Sequence, residues 1–113
     1  MRRAAWVPSS SLDSDVVPVS EISVSDNPAL RRYELRVDGA LEGEIMYRIE
    51  RDKIVLIHTE VSPEIEGRGL GARLVRDALD DIRARGLRVV PLCPFVASFV
   101  RRHPEYGDLM TAA

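Results

Sequence analysis

Between Val61 and Leu79 the hydrophobic pattern of this chain changes period from two to about 3.6, and it does so across "EGRGLG", Glu66 to Gly71. A strand that runs into a helix through Gly67, Gly69 and Gly71 restricts the fold to one in which a crossover helix packs on a sheet. One or two glycines would ease a strand-to-helix turn. Three on alternate positions also suit a loop whose successive N–H groups face outward at the positive end of a helix and cradle an anion. Side chains would hold a phosphate away from such donors, whereas glycine does not. Arg68 within the loop and Arg73 one turn later add positive charge. The Gly-Lys-Ser/Thr ending of a nucleoside-triphosphate loop is absent. The motif also follows the fourth strand, with no acidic residue about 20 residues on after a second parallel strand, which argues against a dinucleotide fold. The spacing alone leaves the eased turn and the diphosphate cradle both open.

Upstream of the glycines the chain reads as a meander. "VSEISVSD", from Val19, alternates weakly as a first strand, and "NPAL" at Asn27–Leu30 supplies a turn. "RRYELRV" sets Arg32, Glu34 and Arg36 against Tyr33, Leu35 and Val37, the pattern of a half-exposed strand. Asp38–Gly39 is a hairpin signal, since both residue types tolerate positive φ. A third strand is expected from about Leu41 to Glu50 and a tight turn at Arg51–Asp52. The fourth, "KIVLIHTEV", is nearly apolar throughout, as for a strand covered on both faces.

Downstream, Leu70, Leu74, Val75, Ala78, Leu79 and Ile82 recur at helical spacing, and Gly86 ends that helix as a C′ residue. "LRVVPL" is a short buried strand, parallel to the fourth because a helix crosses between them. "FVASFVRRH" gives Phe95, Phe99 and Val100 to a shorter second helix, closed by His103 and Pro104. The expected architecture is α+β: a four-strand antiparallel meander followed by a β-α-β-α unit.

Composition excludes more than it specifies. At 113 residues the chain is one domain, with residues 1–18 as a flexible leader carrying Trp6 and residues 19–113 as the folded part. A net charge of -2 argues against general nucleic-acid binding despite Arg31–Arg32 and Arg101–Arg102. The lone Cys93 excludes an intramolecular disulfide and fits a reducing cytoplasm. No apolar run approaches the roughly 18 residues of a membrane span, and no metal-ligand set is assigned.

Strand, "GRGLGARLV" and a strand ending in "PLCPF" together resemble the GNAT superfamily of acetyl-CoA-dependent N-acetyltransferases. More narrowly, "IHTEV", "EGRGLG" and "VVPLCPFVASFVRRHPEY" resemble its small single-domain members of the YjdJ type, over about Tyr33 to Tyr106. The superfamily loop reads Gln or Arg, two residues, Gly, one residue, Gly or Ala; this chain departs with Glu66 in the first place and keeps Gly69 and Gly71. The resemblance implies that acetyl-CoA wedges between strands four and five, which splay apart. Its pantetheine arm would pair with backbone near Val61, and its pyrophosphate would sit on the amides of Gly67, Arg68, Gly69, Leu70, Gly71 and Ala72. The amino-terminal helices of larger members are missing, which leaves the acceptor side open.

Acetyl transfer to an amine needs a base, a stabilised thioester oxygen and a departing thiolate. His58 is the candidate base, because histidine ordinarily titrates near working pH, and Glu60 lies two positions on along the strand. A hydrogen-bonded histidine inside a buried strand is the alternative. Cys93 ends the fifth strand ahead of Pro94, so it is the expected N-cap of the second helix, where the dipole favours a thiolate. Acetyl-enzyme formation, acid chemistry toward the leaving sulfur, and simple lining of the pocket all remain open for it. Arg101 and Arg102 could reach a 3′-phosphate, and Tyr106 could serve as an acid. Two functions follow: a small cytoplasmic N-acetyltransferase for an amine of a metabolite or protein lysine, or a CoA-binding regulatory module with little turnover. Its expected state is a monomer or weak homodimer, since the first strand leaves an edge that a second copy could cover.

Overall fold

A computed structural model describes residues 21–112. The expected leader, Trp6 and the first two residues of the expected first strand, Val19 and Ser20, lie outside the described residues. The elements are β1 (Ile22–Asn27), β2 (Arg32–Val37), β3 (Ala40–Glu50), β4 (Lys53–Val61), α1 (Leu70–Ala84), β5 (Arg88–Pro91) and α2 (Pro94–Arg102), with 3-10 turns at Pro63–Ile65 and Pro104–Leu109. They form one sheet in the order β1-β2-β3-β4-β5, in which only β4 and β5 run parallel. The α+β fold expected from the sequence is the fold observed.

The turns form where the residue types permit them. Asp38 and Gly39 both have positive φ, at 51° and 86°, as a two-residue hairpin requires. Asn27 accepts the Leu30 N–H at both its carbonyl and its side-chain oxygen, each at 3.2 Å, and so closes the first turn.

Both helices pack on one face of the sheet. There Tyr33, Leu35, Ile45, Tyr47, Ile54 and Leu56 meet Leu74, Val75, Leu79 and Ile82 of α1 and Val96 and Phe99 of α2. Each fully buried aliphatic side chain contributes ~1.5–3 kcal/mol, which outweighs the weak intrinsic stability of a helix of this length. Gly86, at φ 74°, ends α1 in a Schellman motif: Leu87 N–H donates to the Ile82 carbonyl at 3.3 Å and Gly86 N–H to that of Arg83 at 3.1 Å.

The other face carries charge. Arg32 donates to Glu34 at 2.7 Å and to Glu44 at 2.9 Å, while Asn27 and Arg36 also reach Glu34. Glu34 is therefore buried to 4% exposure instead of standing half-exposed as its alternation suggested. Among the described residues no helix is long and apolar enough to cross a membrane.

Candidate active site

Strand β4 is not covered on both faces along its whole length, contrary to its apolar composition. Ile54, Val55 and Leu56 are buried, but Ile57 and His58 are exposed. The register explains the change: Tyr47 pairs with Leu56, whereas Met46 pairs with His58. Ile57 is thus an extra residue on β4, a β-bulge. Past it, side-chain parity is inverted. His58 turns to the charged face beside Met46, and Thr59, opposite Ile45, turns toward the helices.

The same stretch loses its neighbour. Pairing between β4 and β5 stops at Leu56 and Pro91, while β4 continues to Val61. One further hydrogen bond, from Cys93 N–H to the Leu56 carbonyl at 3.0 Å, marks the fork. Beyond it, among the described residues, the β4 edge has no strand partner on that side, and a cavity of about 440 Å³ opens there. Its wall comprises Thr59, Val61, Ile65, Ala72 and Phe95, with Glu66, Gly67, Gly69 and Gly71 at one end.

The three glycines of the loop serve different ends. Gly67 and Gly69 have φ of 83° and 76°, conformations that side-chain-bearing residues rarely adopt. Gly71 lies inside the first turn of α1, where a Cβ would stand 2.9 Å from Phe95 Cζ. Its missing side chain makes room for an aromatic ring. Among the described residues, the N–H groups of Gly67, Gly69, Leu70, Gly71 and Ala72 have no backbone acceptor, as expected at a helix start. The N–H of Arg68 is committed to the Ile65 carbonyl at 3.2 Å, so of the six expected amide donors this one is spent. Its exposed guanidinium is left to supply charge. Leu70 sends its side chain into the core.

Cys93 is the N-cap residue of α2, but its thiol makes no capping hydrogen bond. It is 2% exposed and stands behind the cavity wall, with Sγ 3.1 Å from Thr59 Oγ1. His58 is on the opposite face of the sheet, its side chain 53% exposed and its Nε2 3.0 Å from a Glu60 carboxylate oxygen. Strand β4 therefore separates the two candidate catalytic side chains, and the reading of His58 as a buried strand histidine is overturned by the bulge. Beside it, a second cavity of about 320 Å³ is lined by Leu41, Glu42, Gly43, Glu44, Glu60, Val61, Ser62 and Pro63. Val61 lines both cavities, so the two lie on either side of it.

The other candidates are structural in their contacts. Tyr106 donates to Asp80 of α1 at 2.8 Å, and its phenol is pushed up to about 12, chiefly by burial and then by that carboxylate. His103 Nδ1–H donates to the Phe99 carbonyl at 2.9 Å and stacks on the Phe99 ring, closing α2 as expected. Arg102 turns back to Ser98, and Arg101 is exposed. Sequence reasoning missed Thr59, whose parity depends on the bulge, and put Phe95 on the second helix, where it is, without assigning its ring to the cavity. That ring is 40% exposed over Gly71 at the cavity, and Val96 takes the core position.

A sheet that forks beside a glycine loop, with unpaired amides at the start of the crossover helix, defines a GNAT-type fold. A profile of the "GCN5-related N-acetyl-transferase" family matches residues 32–109, and the chain belongs to that family. Protein NATD1 of Xenopus tropicalis is 30% identical over 89 residues, covering 77% of this chain and 82% of that protein. Protein NATD1 of Bos taurus is 31% identical over 85 residues, covering 74% and 75%. Among solved structures, a GCN5-like protein from Staphylococcus aureus superposes with a TM-score of 0.60 at 23% identity, over 82% of this chain and 89% of that one. The ribosomal-protein-S18-alanine N-acetyltransferase of Escherichia coli superposes with a TM-score of 0.51 at 17% identity, over 63% and 64%. These two likenesses concern the fold.

Proposed function

We propose that the chain is a cytoplasmic N-acetyltransferase that moves an acetyl group from acetyl-CoA to an amine, on a small molecule or a protein lysine. The observation that carries this reading is the groove at the fork. It has unpaired amides of Gly67, Gly69, Leu70, Gly71 and Ala72 at one end, an unpartnered β4 edge along its side, and Thr59 in its wall with Cys93 behind it. These residues fit coenzyme A: the amides and Arg68 would take its diphosphate, and the β4 edge near Val61 would pair with its amide-bearing arm. When bound, the coenzyme supplies an activated acetyl thioester.

The acceptor would enter from the charged face. Glu42, Glu44 and Glu60 in the second cavity favour a cation, and a protonated amine is one. His58, oriented by Glu60, is placed to take a proton from that ammonium, which frees the nitrogen lone pair for attack on the thioester carbonyl. Calorimetry with coenzyme A and acetyl-CoA tests the first half, and turnover with a panel of amines, compared among wild type, His58→Ala and Cys93→Ala, tests the second.

A CoA-binding regulatory module is the competing reading. It is favoured by the separation of His58 from Cys93 across β4 and by the Glu66 carboxylate at the phosphate end of the groove. Tight CoA binding with no acetyl transfer to any amine, in wild type or variants, would select it.

A further inference from the structure

Cys93 Sγ is a nucleophilic group with no opening of its own. It is 2% exposed and is not part of the cavity wall, although it lies directly behind it. The group between them is Thr59 Oγ1, 3.1 Å from the sulfur and on a residue that lines the cavity. The remaining side chains of that wall are the apolar Val61, Ile65, Ala72 and Phe95 and the carboxylate of Glu66, so Thr59 is its hydroxyl among the described residues. The other O–H considered for acid chemistry, that of Tyr106, is given to Asp80.

From this arrangement we infer that Thr59 is a catalytic residue: its hydroxyl delivers a proton to the sulfur released in the transfer, and Cys93 replenishes it. The inference rests on the acetyltransferase reading. Either atom of the Thr59–Cys93 pair can donate; the relay runs through the arrangement in which the Cys93 S–H donates to Thr59 Oγ1 and the Thr59 O–H is free for the cavity. When the thioester C–S bond breaks, its electron pair remains on the departing sulfur. That sulfur takes the Thr59 proton, Oγ1 takes the Cys93 proton, and Cys93 is left as a thiolate. The amine gives up its own proton on the acceptor side. After the products leave, solvent in the emptied cavity returns a proton to Cys93 through the same hydroxyl, so the balance closes with no further reactant. A hydroxyl is needed because a thiol behind the wall cannot touch the substrate, and a threonine can both accept and donate. The bulge at Ile57 brings it there.

The test uses the full chain, acetyl-CoA, and whichever amine of the panel wild type acetylates fastest, followed by loss of thioester absorbance. Thr59→Val is expected to lower kcat at least tenfold while the affinity for coenzyme A by calorimetry changes less than twofold. Thr59→Ser is expected to stay within threefold of wild type. The double variant Thr59→Val with Cys93→Ala is expected to be no slower than the slower single variant, because both cut one relay. Normal kcat in Thr59→Val, losses that multiply in the double variant, or an acetyl adduct on wild-type Cys93 seen by mass spectrometry would each overturn the relay. If wild type acetylates no amine, the acetyltransferase reading fails first and the relay with it, an outcome visible before any variant is made.

Discussion

Phe95 rests on Gly71 so closely that a single added methyl would meet its ring at 2.9 Å. The aromatic closes one side of the cavity at the fork, and the glycine is what lets its ring edge come so close. Gly71→Ala is therefore expected to displace the ring and weaken coenzyme A binding about tenfold or more by calorimetry. Thermal stability should hardly change, because alanine regains ~1 kcal/mol of helix propensity. Adding Phe95→Leu, which removes the clashing ring edge, should recover most of the affinity.

Gly69→Ala should behave in the opposite sense. Nothing lies within 4 Å of the added carbon, but the backbone at φ 76° resists it. The expected cost is ~1–2 kcal/mol of stability, read by denaturant unfolding. If both alanine variants affect stability alone, the separation of roles within the loop is wrong.

Alkaline unfolding should be led by three phenols. Tyr33 donates to Asp81 and Tyr47 to Asp26, each at 2.6 Å, and Arg85 donates to both Tyr33 and Asp26. Burial first and the carboxylate second push Tyr47 up to about 12, and Tyr33 higher still. Tyr106 is raised in the same way to about 12. The native state holds these protons more tightly than the unfolded chain, so their contribution is complete below about pH 10 and falls as the pH climbs above it. Tyr33→Phe should lower stability by ~1 kcal/mol at neutral pH and flatten the alkaline limb of a melting-temperature profile. An unchanged limb would count against the network.

At the acid end Glu34 plays the matching part. The Arg32 guanidinium, then Asn27, hold its carboxylate below the usual range. Its contribution is present above the unfolded value and is lost as the pH falls through the lower folded one. Glu34→Gln should cost ~1–3 kcal/mol at pH 7 by stranding its buried donors, and should make the remaining stability less sensitive to acid.

For the acceptor, Glu42→Gln is expected to raise KM for a cationic amine about threefold to tenfold, with kcat unchanged, the scale of ~1 kcal/mol. A neutral amine should show no such penalty. Equal effects on both would remove the second cavity from the acceptor path.

Much of the fold could be read from residue order alone, because its determinants are local. Asp38–Gly39 and Gly86 sit where positive φ is required, and Leu74, Ala78, Leu79 and Ile82 keep helical spacing, so the meander, the crossover helix and its end follow from side-chain chemistry within a few positions. The loop glycines were legible as special, and the "CPF" segment placed Cys93 at the head of α2.

The site itself was decided by tertiary structure. One unpaired residue, Ile57, inverts the parity of β4, puts His58 and Cys93 on opposite sides of the sheet, and brings Thr59 to the cavity. A bulge is set by how two strands match along their ladder, and the alternation within one strand carries no record of it. Likewise Phe95 and Glu34 each look ordinary in sequence, one apolar on a helix and one charged on a strand. Only the approach of Gly71 to the first, and of Arg32, Arg36 and Asn27 to the second, gives them their places.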